Sequence, residues 1–196
     1  MILKSKREKA KLLEVLMDPQ SEGPEVAYWV FSNVSKDKWE NMTIISHGSY
    51  GGEFPKTYGH YHATSDLETY KLIFGEGILQ LQKKVVDENG VMVPNKVEEV
   101  FLVRFGKDDE VSVIPNDYGH AWSNIGTSPL ISLDDWRAGH TDHDYDIIQQ
   151  QRGLCYYIVE KANEIKLVPN PNYVDHPKPK WVTPEEFNYY MSQGRK

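Results

Sequence analysis

Two histidines one residue apart, His60 and His62, are followed by Glu68 and later by His120, a set of side chains from which a divalent metal centre can be built. In an extended segment alternate side chains face the same way, so His60 and His62 can enter a site from one strand. Glu68 stands near the start of the run Leu67 to Phe74, where alternation puts Glu68, Tyr70, Leu72 and Phe74 on one face. A carboxylate leading an otherwise apolar face is costly to bury alone, and a cation removes that cost. Val111 to Pro115 reads as a strand and Asn116-Asp117-Tyr118-Gly119 as the turn that delivers His120. Three imidazoles and a carboxylate suit Fe, Mn, Ni, Co or Zn without choosing among them. One such ion per chain is expected, with ligand atoms about 2.0–2.3 Å away. His47 and His176 read as ordinary hydrogen-bonded or exposed histidines.

The elements that must position these residues are mostly strands. From Val26 onward, short runs rich in Val, Ile, Tyr and Phe alternate with turn clusters: Ala27–Phe31, Met42–His47, Leu67–Phe74, Ile78–Lys84, Val97–Phe105, Val111–Ile114, Pro129–Leu133 and Leu154–Glu160. Many short strands without intervening helices indicate an all-β sandwich or barrel. Asn89-Gly90, Gly75-Glu76-Gly77 and Asn124-Ile125-Gly126 supply turn chemistry between them. Ahead of the strands, the spacing of Ala10, Leu13 and Met17, with Leu12 and Leu16 alongside, predicts an amphipathic helix over 5–17. Asp18-Pro19 ends it, and a loop follows to residue 25. Behind the barrel core, 26–166, the chain turns Pro- and Asn-rich and is expected to wrap over the barrel. Thr183-Pro184-Glu185-Glu186 signals a last short helix with a capping box.

The 196 residues, 39% of them apolar, suit one domain with extensions. A net charge of −7 without a long Lys/Arg cluster argues against coating nucleic acid or an anionic membrane. No apolar run approaches the roughly 20 residues of a membrane span, and the start lacks the apolar stretch of a signal peptide, so a cytoplasmic protein is expected. The single cysteine, Cys155, excludes an internal disulfide and a Cys-based zinc site, and in its apolar run it reads as a buried strand residue.

The pattern resembles the two motifs of the cupin family, His-x-His, Glu and Gly75 in the first and His120-x-x-x-Asn124 in the second. The resemblance implies a double-stranded β-helix, or jelly-roll barrel. The gap between His62 and Glu68 is longer than is usual there, Phe54 stands where the first motif has a glycine, and Asp117 stands where a glycine is common in the second. Thr57-x-Gly59-His60-Tyr61-His62, Glu68-x-Tyr70, His120-x-x-x-Asn124-Ile125-Gly126 and Ala138-Gly139-His140 with His143-Asp144-Tyr145 look more narrowly like the cupin-type phosphoglucose isomerases. That resemblance implies metal ligands at His60, His62, Glu68 and His120, a sugar phosphate held near Thr57, Gly59 and Thr43, and Tyr70 lining the sugar site. It also implies a homodimer. The family's Ala-Gly-His-Asp-Tyr run is interrupted here by Thr141-Asp142-His143, so either His140 or His143 is the active-site histidine. His143 is preferred because Asp144 and Tyr145 follow it. Tyr145 matches the family tyrosine next to that run, with Trp136 as the aromatic shortly before it.

Aldose-ketose isomerisation suits these residue types. A divalent cation polarises the carbonyl, Glu68 could act as a base through a cis-enediol, and a histidine could assist ring opening. A hydride shift is the rival mechanism. The Gly59 amide, the Thr43 and Thr57 hydroxyls and the Lys56 ammonium could take the phosphate without a glycine-rich P-loop. Two alternatives stand beside this reading: another cupin enzyme, either a metal-dependent oxygenase or an isomerase of a different sugar, and a non-catalytic carbohydrate- or metal-binding cupin.

Overall fold

The computed structural model describes residues 1–64, 66–113, 116–141 and 143–193. The chain opens with β1 (Ile2–Glu8), α1 (Lys9–Leu12) and one 3₁₀ turn (Leu13–Val15). There follow β2 (Val26–Ser32), β3 (Asn41–Ile45), β4 (Glu68–Phe74), β5 (Gly77–Val86), β6 (Met92–Phe105), β7 (Glu110–Val113), β8 (Tyr118–Asn124) and β9 (Leu130–Asp134). After these come α2 (His143–Gln150), β10 (Tyr156–Lys161), β11 (Glu164–Pro169), β12 (Lys180–Val182) and α3 (Pro184–Gln193). One sheet has the order β1-β2-β3-β9-β4-β7, a second β12-β6-β5-β8, and β10-β11 form a ribbon. β12 joins β6 in parallel, while the other pairings are antiparallel.

The two sheets bury their facing sides against each other. Ile45, Leu72 and Leu130 of the first and Leu79, Leu81, Phe101 and Trp122 of the second belong to one apolar cluster. This is an all-β arrangement of two facing sheets, with small helices at its margins. Over Gly77–Gln82 β5 is buried on both faces and carries no charge, while Lys83 and Lys84 mark where that cover ends. Ile78, on its far face, packs with Ile158 of the ribbon. Gln82 on that face is fully used: Oε1 accepts the Cys155 N–H at 2.7 Å, and Nε2 donates to the hydroxyls of Tyr61 and Tyr173 at 3.0 Å each. Cys155 is buried there, its thiol pushed up to about 12 by burial. Gly75, in the turn from β4 to β5, has φ +87, and a Cβ on it would lie 2.6 Å from the Pro129 carbonyl oxygen. Only glycine fits this turn.

The N-terminal helix expected over 5–17 is largely replaced. Residues 2–8 form an edge strand, and helix is confined to Lys9–Leu12 and the 3₁₀ turn. The strand is exposed and rich in Lys, so it lacks apolar alternation, a common guard on sheet edges. Of the residues behind the helical expectation, Leu12 and Leu16 are buried, with Val15 beside them, while Ala10 is exposed and Leu13 and Met17 are half-buried. The turn expected at 116–119 is shorter, because Tyr118 and Gly119 already belong to β8, whose residues are all buried and show no alternation. The expected strand ending at Ile114-Pro115 lies partly outside the described residues. Helix α2, β8 and the strands β11 and β12 were not anticipated. The capping box of α3 is present: Thr183 Oγ1 accepts the Glu186 N–H at 3.2 Å and Glu186 Oε2 accepts the Thr183 N–H at 2.7 Å.

Candidate metal centre

Residues 55–62 are not a regular strand but run antiparallel along β8, touching it at intervals. The Asn124 N–H donates to Pro55 O at 2.8 Å, the Thr57 N–H to Trp122 O at 2.9 Å, and His60 and His120 exchange N–H···O bonds of 3.2 and 3.0 Å. Gly59 makes the close approach possible. Its φ is +84, and a Cβ there would meet Ala121 Cβ and His120 O at 3.3 Å. The bridge between His60 and His120 sets their rings 4.5 Å apart, and His62, two residues on, brings its ring to 4.6 Å from that of His60. Glu68 arrives from the opposing sheet at the start of β4, its Oε2 3.2 Å from His62 Nε2 and 3.4 Å from His120 Nε2.

The donor set fits a metal ion. One ligand atom from each of His60, His62, Glu68 and His120 lies within 4.8 Å of the others. His60 Nε2 and His62 Nε2 are only 2.8 Å apart. Ligands about 2.1 Å from a common ion and at right angles to each other are separated by about 3.0 Å, close to these spacings. His120 Nδ1, 3.0 Å from Tyr118 O, donates its N–H to that carbonyl and leaves Nε2 as the lone-pair nitrogen. His62 Nδ1 is buried and has no hydrogen-bond partner among the described residues. Burial, then the neighbouring imidazoles, holds His60 well below the usual histidine range, so it is neutral and ready to ligate. Burial pushes Glu68 up, but the adjoining His120 and His62 outweigh it and hold the carboxyl below its usual range. Converging lone pairs and a carboxylate out of water are stable together when a cation lies among them.

A pocket opens beside this cluster, lined in part by Thr43, Thr57, Gly59, Tyr70, His140 and Tyr145. His140 faces inward, its ring 4.4 Å from that of His60 and 4.9 Å from that of His62. His143 does not, and the preference for it is corrected here. It heads α2 with its side chain 91% exposed and Nδ1 2.9 Å from Asp146 Oδ2. The cause is the helix. It begins at His143, so Asp144 turns inward to accept the Thr141 N–H at 2.9 Å while His143 points to solvent. Tyr145, on the same helix, stands 5.4 Å from the His60 ring and 5.6 Å from that of Tyr58.

Lys56 also departs from expectation, since it turns away from the pocket. Its ammonium is buried 2.6 Å from Glu53 Oε1 and 2.6 Å from Val15 O. Glu53 Oε2 in turn accepts the Met17 N–H at 2.7 Å. The pair ties the segment after α1 to the barrel.

The family model described as Glucose-6-phosphate isomerase matches residues 21–175. The chain belongs to the glucose-6-phosphate isomerase family. Among curated proteins it is similar to the glucose-6-phosphate isomerase of Thermococcus onnurineus, 31% identical over 153 residues covering 76% of this chain and 73% of that one. It is likewise similar to the glucose-6-phosphate isomerases of Pyrococcus furiosus and Pyrococcus abyssi, each 28% identical over the same shares. No helix of the described residues is long and apolar enough to cross a membrane.

Several pocket residues lie outside the family signatures noted in the sequence. Lys4, Ser5 and Arg7 come from β1, ahead of the stretch that matches the family. Asn41 and Asp134 pair across β3 and β9, Asn41 Nδ2 donating to Asp134 Oδ1 at 2.6 Å and to Trp136 O at 2.9 Å. Burial, then the charge of Glu68, pushes the Asp134 carboxyl up to about 7. Trp136 packs edge-on against His62 and donates its indole N–H to Gly139 O at 2.7 Å, which anchors the loop carrying His140. An inward aromatic at 136 was legible as a family match. The β1 residues carried no signal, because their strand has no buried face.

Proposed function

We propose that this chain is a metal-dependent isomerase interconverting glucose 6-phosphate and fructose 6-phosphate. The observation that carries the reading is a buried three-histidine, one-carboxylate cluster opening into a pocket with uncharged hydroxyls on the family's phosphate side. His60, His62, Glu68 and His120 would hold one divalent ion, which when bound polarises the sugar carbonyl. Isomerisation moves one hydrogen between C1 and C2 and one proton between O1 and O2, with no net change. Glu68 remains ionised at neutral pH and is positioned to take the proton from one carbon and return it to the other. Burial, then His62, pushes His140 down to about 4. It is therefore neutral in the working range and can accept the hydroxyl proton when the ring opens. Tyr70 stays protonated and can donate to a sugar oxygen. Thr43, Thr57 and the Gly59 amide are assigned to the phosphate, and Tyr145 to the sugar wall.

The same reading makes residues 26–166 one barrel with flanking segments, and the working form a cytoplasmic homodimer. Its test is a coupled assay of fructose 6-phosphate conversion before and after chelation, with Fe, Mn, Ni, Co and Zn restored one at a time. Turnover lost on chelation and regained with metal is the expected result. Oxygen consumption without sugar phosphate turnover would favour the oxygenase, and inertness with every metal a binding protein. Solvent deuterium appearing at C2 of the glucose 6-phosphate product is expected for proton transfer, and its absence points to the hydride shift.

A further inference from the structure

A phosphate dianion entering a chain of net charge −7 needs a local cation, yet Thr43, Thr57 and Gly59 carry none and Lys56 is committed to Glu53. The geometry points to Arg7 of β1 as the residue that binds the phosphate group of the sugar. This inference rests on the isomerase reading for its substrate, but the position and state of Arg7 are independent of it.

Arg7 pairs with Tyr28 across β1 and β2, and its Nε donates to the Tyr28 hydroxyl at 3.2 Å. Its guanidinium carbon lies 4.9 Å from the centre of the Tyr58 ring and 5.8 Å from that of Tyr145. Tyr58 is the residue between Thr57 and Gly59, so the guanidinium stands beside the loop already assigned to the phosphate. Tyr145 also lies 5.4 Å from the His60 ring, so one aromatic side chain touches both the cation and the metal cluster. A ligand lying along that ring can meet both. Among the described residues Arg7 forms no ion pair with a carboxylate, although it is half-buried. The tyrosines hold it through Nε and the flat face, and the two terminal nitrogens present the fork that matches two phosphate oxygens. A lysine on a free chain could supply the charge. The stacking and the Nε bond are specific to arginine.

The test uses the full-length, metal-loaded protein, with inorganic phosphate as the probe beside fructose 6-phosphate. Arg7→Gln is expected to raise KM for fructose 6-phosphate and the inhibition constant for inorganic phosphate together, by about tenfold to a hundredfold, with metal content and kcat little changed. Arg7→Lys should recover part of the loss. A merely structural role through Tyr28 would instead lower kcat or the melting temperature and leave the phosphate constant where it was. If wild type turns over fructose 6-phosphate and Arg7→Gln shifts neither constant, Arg7 is not the phosphate residue and the isomerase reading stands. If wild type shows no turnover with any metal, that reading fails, and calorimetric titration with inorganic phosphate still decides the cation: equal affinity in wild type and Arg7→Gln overturns it. Should Arg7→Gln fail to fold, Arg7→Lys serves in its place, with phosphate binding unchanged from wild type as the overturning result.

Discussion

The Tyr70 hydroxyl lies 2.8 Å from His120 Nε2, the same nitrogen that stands 3.4 Å from Glu68 Oε2. Strand alternation puts Tyr70 and Glu68 on one face of β4, and burial followed by the charge of Glu68 holds the phenol well above its usual range. It is therefore a donor at every working pH. Were His120 to hold the proposed ion through Nε2, the O–H would be left for the substrate. Tyr70→Phe is expected to keep its metal, measured by elemental analysis, while kcat falls by about tenfold to a hundredfold. An unchanged kcat would remove Tyr70 from the reaction.

The two neighbouring histidines should separate cleanly. His140→Ala is expected to lower kcat by about a hundredfold, the scale of a lost acid-base group. His143→Ala, on the solvent side of α2, should stay within about twofold of wild type, as surface substitutions do. Steady-state kinetics on both variants decides, and the reverse pattern would mean that α2 is placed differently in the working enzyme.

Lys56 is expected to matter for stability rather than for the phosphate. Its removal strands Glu53, whose side chain is 1% exposed, as a buried and uncompensated charge. Lys56→Met should cost about 3–5 kcal/mol in urea unfolding while KM for the sugar phosphate stays put. A tenfold rise in KM at unchanged stability would return Lys56 to the substrate.

Asp134 gives a pH signature. Its native pKa of about 7 lies above the usual carboxylate value, so the native state binds the proton more tightly than the unfolded chain does. Stability from this group is complete below the unfolded value and is lost as pH rises toward 7 and beyond. Metal-free wild type should therefore lose up to about 3 kcal/mol between pH 5 and 8 relative to Asp134→Asn. The amide keeps an oxygen for Asn41 and for the Trp136 N–H but has nothing to titrate. Parallel stability curves for the two proteins would show that Asp134 ionises normally.

The convergence of His60, His62, Glu68 and His120 was legible because each obeys a local rule. His60 and His62 alternate, Glu68 leads an apolar face, and His120 follows a turn. Their meeting also depends on Gly59, whose left-handed backbone lets two segments touch, and that residue was visible only as part of a motif. Lys56 was misread because Thr57 beside it faces the pocket, while its own side chain turns to Glu53, three residues back, and to the Val15 carbonyl, a long-range partner with no local sign. His143 was misread because the motif Asp144-Tyr145 is carried on a helix, and a helix shifts which residue points inward. β1 was hidden for the opposite reason. A strand exposed over most of its length leaves no apolar period in the sequence, so its Lys and Arg looked like the polar face of a helix.

The pairing of β1 with β2 runs from Leu3 opposite Phe31 to Ser5 opposite Val30, and Lys4 has no partner of its own. Lys4 is thus a spare link, a bulge that bends the strand so that Lys4 reaches Asn41 Oδ1 at 3.4 Å while Ser5 and Arg7 keep their places. Slack of one residue lies upstream of the guanidinium. A chain shortened by one position anywhere from Lys4 to Lys6 can consume the bulge and still set Arg7 opposite Tyr28, whereas a one-residue deletion between Arg7 and α1 has no such reserve. Length variation at the two ends of this strand should therefore be tolerated unequally.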